Sequence, residues 1–264
     1  MIEIKPKTFF DLVGWGQGSD QSTFAVPAIP PRTFAHPTGP EETHGTTVLS
    51  LRYDGGVLTL ADRRATMGNL VMYDHAEKIL PLDDCTVVAI SGSFARSIEV
   101  CRLLKHSFKY YKRMHLNDMS LEGKLQEISK ALAGNLPMAM QGIGIFLPIV
   151  AARDPKTGEF DVYFFDGAGA RFQNADYACA GSGSERIRGI FEYLVRTEGP
   201  WRTRPLKDVL RDGLRMLDIA ADLDSATGGF AKTLPAARIL DADGNRDLPA
   251  EMLDKVAAEV LAGR

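Results

Sequence analysis

Cysteine is scarce in this sequence. Cys85, Cys101 and Cys179 are the only three among 264 residues, and they lie far apart. An odd and sparse set excludes a disulfide-stapled scaffold and favours a reducing compartment, so we expect a cytoplasmic protein. Neither a CxxC pair nor a Cys/His cluster occurs, and we therefore expect no bound metal and no cofactor.

Long apolar runs and a charge excess are missing as well. No apolar stretch reaches the roughly 18 residues of a membrane span, and residues 1–16 lack the uninterrupted apolar core and small-residue cleavage site of a signal peptide. The net charge is only −3, which offers no basic surface to nucleic acid or acidic lipid. We expect neither a membrane nor a nucleic acid among the partners.

Proline divides the chain into two regions. Residues 1–45 are rich in proline, which removes hydrogen-bond donors and interrupts regular structure. This region is either a disordered tail or a removable pro-segment that is largely irregular. The following residues, 46–264, carry strand and helix patterns, and we expect them to form a single domain. The five prolines of the first region are Pro27, Pro30, Pro31, Pro37 and Pro40.

Beyond residue 46 the hydrophobic pattern predicts strands grouped with strands and helices grouped with helices. This order favours a layered α+β sandwich over an alternating βαβ fold. The predicted strands cover 46–53, 57–62, 69–74, 78–82, 85–92, 143–154, 160–166, 175–180 and 236–240. The predicted helices lie near 93–115, 120–140, 184–198, 205–222 and 248–262.

The first two strands should form a hairpin around residues 54–56, where Asp-Gly-Gly is a strong turn signal. A two-residue turn would pair Thr47 with Asp62. A three-residue loop would instead pair Thr46 with Arg64 and place Asp62 on the same face of the sheet, because side chains alternate with a period of two. The sequence leaves both registers open.

Thr46 follows Gly45 at the border between the two regions. A threonine hydroxyl inside a chain is a poor nucleophile, but at a chain start its own α-amino group can accept the hydroxyl proton, since free α-amines titrate near 7.7–8.0. Such a site exists only after the bond between Gly45 and Thr46 is cut. Glycine suits a position where the backbone must bend tightly and admit that attack.

Five motifs in order give this region a family resemblance. Residues 44–66 read HGTTVLSLRYDGGVLTLADRRAT, and EKI around Lys78, SGS at 91–93, GSGS at 181–184 and DSATGG at 224–229 follow. Together they resemble the proteasome β-type subunits, which are N-terminal nucleophile hydrolases and threonine peptidases, and the long pro-segment ending in His-Gly resembles the actinobacterial branch. The resemblance covers nearly all of 46–264 and none of 1–40. It implies a four-layer αββα sandwich and a catalytic domain over 46–264.

The resemblance also implies roles for single residues. Thr46 would be the nucleophile, exposed when residues 1–45 are removed autocatalytically by cleavage after Gly45. Lys78 would lie near the Thr46 hydroxyl and provide a positive field, with Asp62 orienting it. The backbone N–H of Gly92 would stabilise the oxyanion.

Three more positions would surround the Thr46 amine with hydrogen bonds. They are Ser182, Asp224 and Thr227. The family more often has serine where Thr227 stands, and a threonine keeps the hydroxyl, so the implied role survives. Read without the resemblance, they would be a turn serine, a helix-end aspartate and a loop threonine.

Four residues match substrate-binding positions of the family. The backbone of Thr66 would bind an extended peptide by strand addition. Ala65, Ile90 and Phe94 would line a pocket, and one small and two apolar residues favour cleavage after large apolar residues. Simple core packing is the alternative explanation for Ile90 and Phe94.

Assembly and partners follow from the resemblance alone. It implies seven-membered rings, with two β rings stacked between two rings of α subunits, and an ATP-driven unfoldase ring that supplies unfolded or tagged proteins. Two alternatives remain. The chain could be another N-terminal nucleophile hydrolase, such as the subunit of a two-ring bacterial ATP-dependent protease, or it could be a structural β subunit that is never processed.

Overall fold

The computed structural model describes residues 45–68, 70–142, 144–174 and 176–263, so the predicted pro-segment 1–45 lies outside the described residues except for Gly45. Within those ranges the chain forms twelve strands and five α-helices. The strands are β1 (Val48–Tyr53), β2 (Gly56–Ala61), β3 (Ala65–Met67), β4 (Leu70–Tyr73), β5 (Ile79–Asp83), β6 (Thr86–Ala89), β7 (Ile149–Arg153), β8 (Phe160–Phe165), β9 (Arg171–Asn174), β10 (Tyr177–Ala180), β11 (Ala236–Asp241) and β12 (Gly244–Asp247). The helices are α1 (Phe94–His115), α2 (Leu121–Ala139), α3 (Ser184–Glu198), α4 (Leu206–Leu223) and α5 (Ala250–Ala262).

Two five-stranded antiparallel sheets form the centre of the fold. One has the strand order β10-β1-β2-β11-β12 and the other β5-β6-β7-β8-β9, while β3 and β4 form a separate hairpin. Helices α3, α4 and α5 share a hydrophobic core with the first sheet, and α1 and α2 share another with the second. A third core joins the two sheets. The predicted α+β, four-layer αββα sandwich is confirmed.

Side-chain alternation along the strands produces these layers. Leu49 and Leu51 of β1 belong to the core under the helices, whereas Val48 belongs to the core between the sheets, as a period of two requires. The inter-sheet core is built mainly from valine and alanine, including Ala151 and Ala180. Small side chains here let the two sheets approach closely and hold β1 rigidly from both sides.

The β1–β2 hairpin closes through a two-residue turn. Gly55 has a φ of +104°, the left-handed conformation that such a turn needs. The N–H of Asp62 donates to the Thr47 carbonyl oxygen at 3.1 Å, which places these two residues opposite each other. The three-residue alternative, with Thr46 opposite Arg64, is therefore wrong, because its bulge glycine begins β2 as an ordinary strand residue.

Helix α4 contacts the first sheet through a glycine, and this contact yields a stability prediction. A Cβ atom on Gly213 would lie 2.6 Å from Leu60 Cδ1 and 3.1 Å from Leu51 Cδ1, inside a closed core. We expect Gly213→Val to lower the free energy of unfolding by about 1–3 kcal/mol through overpacking, measured by urea denaturation. Gly189→Val in α3 is the matched control, because no atom lies within 4 Å of a Cβ there. Equal stability of the two variants would contradict this packing.

The described ranges contain neither a helix suited to span a membrane nor a cluster suited to bind a metal. No helix there is both long and apolar enough to cross a membrane. The same residues contain no group of three or more His, Cys, Asp or Glu side chains placed to hold a metal ion.

Candidate active site

Thr46 lies at the entrance to β1 and is 5% exposed. Its hydroxyl donates a hydrogen bond to the carbonyl oxygen of the preceding Gly45, at 2.7 Å. Gly181, which follows β10, has a φ of +94°, and a Cβ atom there would lie 1.8 Å from the Thr46 carbonyl oxygen. A glycine in the left-handed conformation thus allows the β10 loop to lie directly against the Thr46 backbone.

Asp62 follows β2 and is the most densely hydrogen-bonded side chain of the site. Its Oδ1 accepts from the Thr47 N–H and from Lys78 Nζ, both at 2.8 Å. Its Oδ2 accepts from the N–H groups of Arg64 and Gly228, both at 3.0 Å. Four donors around a side chain that is 1% exposed satisfy both carboxylate oxygens and fix the orientation of Asp62, because hydrogen bonds to a charged acceptor are the stronger kind.

Lys78 immediately precedes β5 and is 1% exposed. Burial lowers the pKa of Lys78, and this effect outweighs the opposing attraction of the Asp62 carboxylate. The Lys78 carbonyl accepts the N–H of Ile90 at 2.9 Å, so its backbone is fixed to the end of β6. Since Asp62 Oδ1 is shared with the Thr47 N–H, the Lys78 ammonium lies beside the backbone that carries Thr46.

A second hydrogen-bond chain runs from β1 to the loop after α4. The hydroxyls of Ser182 and Thr227 both donate to Asp224 Oδ2, each at 2.6 Å. The hydroxyls of Thr47 and Thr227 lie 2.6 Å apart. Because Thr227 has one hydroxyl proton and gives it to the carboxylate, Thr47 must be the donor in this last bond. The three predicted residues therefore meet at the Asp224 carboxylate, and Thr47 joins them through Thr227.

Arg64 connects the same loop to the β3–β4 hairpin. Its Nη1 donates to the carbonyl oxygens of Ser225 and Thr227, at 3.1 and 3.2 Å. Its Nε donates to Oδ1 of Asp74, the residue that follows β4, at 3.2 Å. Neither Arg64 nor Thr47 was given a role from the sequence. The available signals were the paired threonines and an arginine two residues after Asp62.

Gly92 follows β6 in a left-handed conformation, with a φ of +93°. The two neighbours of Gly92 pair with residues 145–147. The Ser93 N–H donates to the Ile145 carbonyl oxygen at 2.7 Å, and the Leu147 N–H donates to the Ser91 carbonyl oxygen at 3.1 Å. In an antiparallel pair the residue between two such bonds turns its own N–H away from the partner strand. The Gly92 N–H is therefore directed away from the 145–147 segment.

The four predicted substrate-binding residues fall in two places. Ala65 and Thr66 begin β3, shortly after Asp62 in the chain. Ile90 is 2% exposed and belongs to the core beneath α1 and α2, and Phe94, the first residue of α1, packs against that core. Core packing thus accounts for the Ile90 side chain, and a pocket-lining role for these residues remains a prediction.

Comparison with known proteins places this chain in a family. The profile of the family described as "Proteasome subunit" matches residues 42–231. A protein of Acidothermus cellulolyticus named "Proteasome subunit beta" is 34% identical over 252 residues, which are 90% of this chain and 84% of that protein. A protein of Frankia casuarinae with the same name is 30% identical over 256 residues, or 95% of this chain and 91% of that protein. The chain therefore belongs to the proteasome subunit family.

Proposed function

We propose that this chain is the precursor of a catalytic proteasome β subunit, a threonine-type endopeptidase whose nucleophile is Thr46. One observation supports this above all others. The Thr46 hydroxyl contacts the Gly45 carbonyl at 2.7 Å, next to a buried Asp62–Lys78 ion pair that is tied to the adjacent backbone. The names of the relatives in Acidothermus and Frankia support the same function.

Removal of residues 1–45 would use the chain's own hydroxyl. The Thr46 oxygen attacks the Gly45 carbonyl carbon, the bond from that carbon to the Thr46 nitrogen breaks, and the proton lost by the hydroxyl is taken up by this nitrogen, which becomes an amine. Water then hydrolyses the resulting ester. The products are a carboxylate on Gly45 and a free hydroxyl and amine on Thr46. The present hydrogen bond between the hydroxyl and this carbonyl already places the two groups together.

The mature site would repeat this chemistry on a substrate peptide. The Thr46 α-amine accepts the hydroxyl proton and the oxygen attacks the scissile carbonyl carbon. The scissile C–N bond then breaks as the ammonium gives the proton to the leaving amine, and water hydrolyses the acyl-enzyme ester, which releases the carboxylate product and the free hydroxyl. Lys78, oriented by Asp62, provides a fixed positive field that stabilises the negative charge developing on the nucleophile. The outward N–H of Gly92 stabilises the oxyanion.

The second hydrogen-bond chain would hold the new amine. Ser182, Asp224 and Thr227 form one connected set, and the set is tied to Thr47, the residue next to the nucleophile. A carboxylate near the amine favours its protonated form. This set would therefore position the base and stabilise its protonated form until the proton is returned to the leaving amine.

The proposal extends to assembly. We propose rings of seven copies, paired with rings of proteasome α subunits in the cytoplasm, and unfolded proteins delivered by an ATP-driven ring as substrates. Ala65 and Phe94, with the Thr66 backbone, would contact the substrate and favour cleavage after large apolar residues. Confinement inside rings would keep an unselective peptidase away from folded proteins.

Contact between Gly181 and Thr46 gives a prediction for activity. We expect Gly181→Ala to lower peptide hydrolysis by about 100-fold, because the added Cβ displaces the Thr46 backbone and small misplacements of a reacting group have effects of this size. Gly142→Ala is the control: Gly142 also has a positive φ, +77°, but no atom lies within 4 Å of a Cβ there. A rate for Gly181→Ala that matches the rate for Gly142→Ala would refute the contact's importance.

The experiment that tests the function is co-expression with the cognate α subunit, followed by electron microscopy and an assay with fluorogenic peptides. Rings that hydrolyse peptides after large apolar residues support the proposal. Rings of normal appearance without hydrolysis would support the structural-subunit alternative. Hydrolysis by particles that contain this chain without any α subunit would support the two-ring protease alternative.

A further inference from the structure

Gly45, the residue that supplies the scissile carbonyl, is held on two sides. On one side its N–H donates to Thr66 Oγ1 at 3.3 Å. On the other side a Cβ atom on Gly45 would lie 1.6 Å from the Cβ and 2.8 Å from the Cα of Ala226, closer than non-bonded carbon atoms can approach. Neither Ala226 nor the Thr66 hydroxyl has a part in the chemistry proposed above.

Ala226 cannot move away easily, because the loop that carries it is fixed. The Ala226 N–H donates to Asp224 Oδ1 at 3.2 Å. The carbonyl oxygens of its two neighbours, Ser225 and Thr227, both accept from Arg64. Two residues further on, the Gly228 N–H donates to Asp62. The methyl group of Ala226 is therefore as well positioned as the catalytic groups themselves.

Thr66 is equally well fixed. It is 4% exposed and lies in β3, where it pairs with Val71 of β4. A β-branched side chain in a strand has few accessible rotamers, so its hydroxyl has a defined direction. The Arg64–Asp74 ion pair joins the two ends of this hairpin and connects it to the loop of Ala226.

We propose that Thr66 and Ala226 form a clamp that holds Gly45 for self-cleavage, and that Ala226 makes glycine necessary at this position. The Thr66 hydroxyl orients the peptide that precedes the scissile carbonyl. The Ala226 methyl occupies the space that any larger residue would need. Both are positioning residues, and the clamp acts only in the precursor because Gly45 departs with the pro-segment. The inference rests on the proposed self-processing at Thr46.

A paired substitution tests the steric half of the clamp. Purified precursor is mixed with α subunits, and the rate at which chains beginning at Thr46 appear is followed by mass spectrometry. We expect Gly45→Ala to slow processing by about tenfold or more, because the two methyl groups overlap. Adding Ala226→Gly to this variant should restore part of the rate, because it removes the methyl overlap and leaves only the backbone contacts, with the Cα atom at 2.8 Å and the carbonyl carbon at 3.1 Å. Ala226→Gly alone should process normally. A double variant as slow as Gly45→Ala would overturn the proposal.

A second pair tests the hydrogen bond. Thr66→Val keeps the shape of the side chain and removes the acceptor, and we expect processing to slow by about 3- to 10-fold, the effect of one hydrogen bond. Thr66→Ser keeps the hydroxyl and should process at nearly the normal rate. Equal rates for Thr66→Val and the unmodified chain would overturn this half of the clamp.

These outcomes are separable from a failure of the proposed function. In the same assay Thr46→Ala should remain uncleaved. Cleavage of Thr46→Ala after Gly45 would mean that the chain does not process itself, and the proposed function would fail. An uncleaved Thr46→Ala chain, together with an absence of rescue by Ala226→Gly, would leave the function intact and reject the clamp alone.

Discussion

Replacement of Thr46 with alanine should leave the chain at full length and reduce peptide hydrolysis to background. The variant loses the hydroxyl that we propose to attack the Gly45 carbonyl carbon, and whose oxygen lies 2.7 Å from the Gly45 carbonyl oxygen. It therefore cannot create its own terminal amine. Both losses have one cause, and we expect them to occur together. Intact-mass measurement of the assembled chain and a fluorogenic peptide assay check the two effects on one sample.

Thr46→Ser is the matched control for this variant. Serine keeps the hydroxyl and loses only a methyl group, so the chain should still be processed and should hydrolyse peptides at a reduced rate. Normal hydrolysis by Thr46→Ala rings would contradict the assignment of the nucleophile. Processing of the serine variant without hydrolysis would show that the mature site needs the threonine methyl group for alignment.

Replacement of Lys78 with methionine should have the second large effect, on activity and stability together. Methionine fills a similar volume but removes the ammonium, so we expect hydrolysis to fall by about 100-fold or more as the positive field is lost. The Asp62 carboxylate, which is 1% exposed, would lose its cationic partner, and breaking a buried pair typically costs about 3–5 kcal/mol. Peptide assays and urea denaturation measure the two effects.

Lys124 provides the control that separates these effects. It is also buried, at 2% exposed, and its Nζ lies 2.7 Å from Asp83 Oδ2 in an ion pair between α2 and β5. Lys124→Met should therefore destabilise the fold while the hydrolysis rate per assembled particle stays normal. If Lys124→Met were as inactive as Lys78→Met, the loss at Lys78 would be a consequence of unfolding and not of catalysis.

The layers of the fold could be predicted from the sequence because they depend on local hydrophobic patterns. Helices α3 and α4 lie within a residue of their predicted ranges, and every strand predicted from an apolar run has a counterpart. Strands β3, β9 and β12 were missed. Strand β3 has only three residues, too few to show a pattern. Strands β9 and β12 are sheet-edge strands whose residues are exposed or half-buried, so they lack the alternation that identifies a buried strand. The predicted strand over 143–154 begins only at Ile149.

The candidate site could be predicted from the sequence only in part. Asp62 and Lys78 were paired through the family resemblance, and the structure places them 2.8 Å apart. The roles of Arg64 and Thr47 depend on contacts with the 224–228 loop, more than 160 residues away in the chain. No spacing rule encodes such contacts. The hairpin register was undecided for a related reason, since Asp-Gly-Gly is compatible with either turn and tertiary packing selects one.

The central claim is that Thr46 becomes the first residue of the working subunit. Intact mass and N-terminal sequencing of the chain, taken from rings that hydrolyse peptides, test this claim most directly. We predict a chain that begins Thr46-Thr47-Val48 and has lost the mass of residues 1–45. A chain that still begins at Met1, in rings that hydrolyse peptides at the full rate, would contradict the account, because Thr46 would then have no free amine to act as the base.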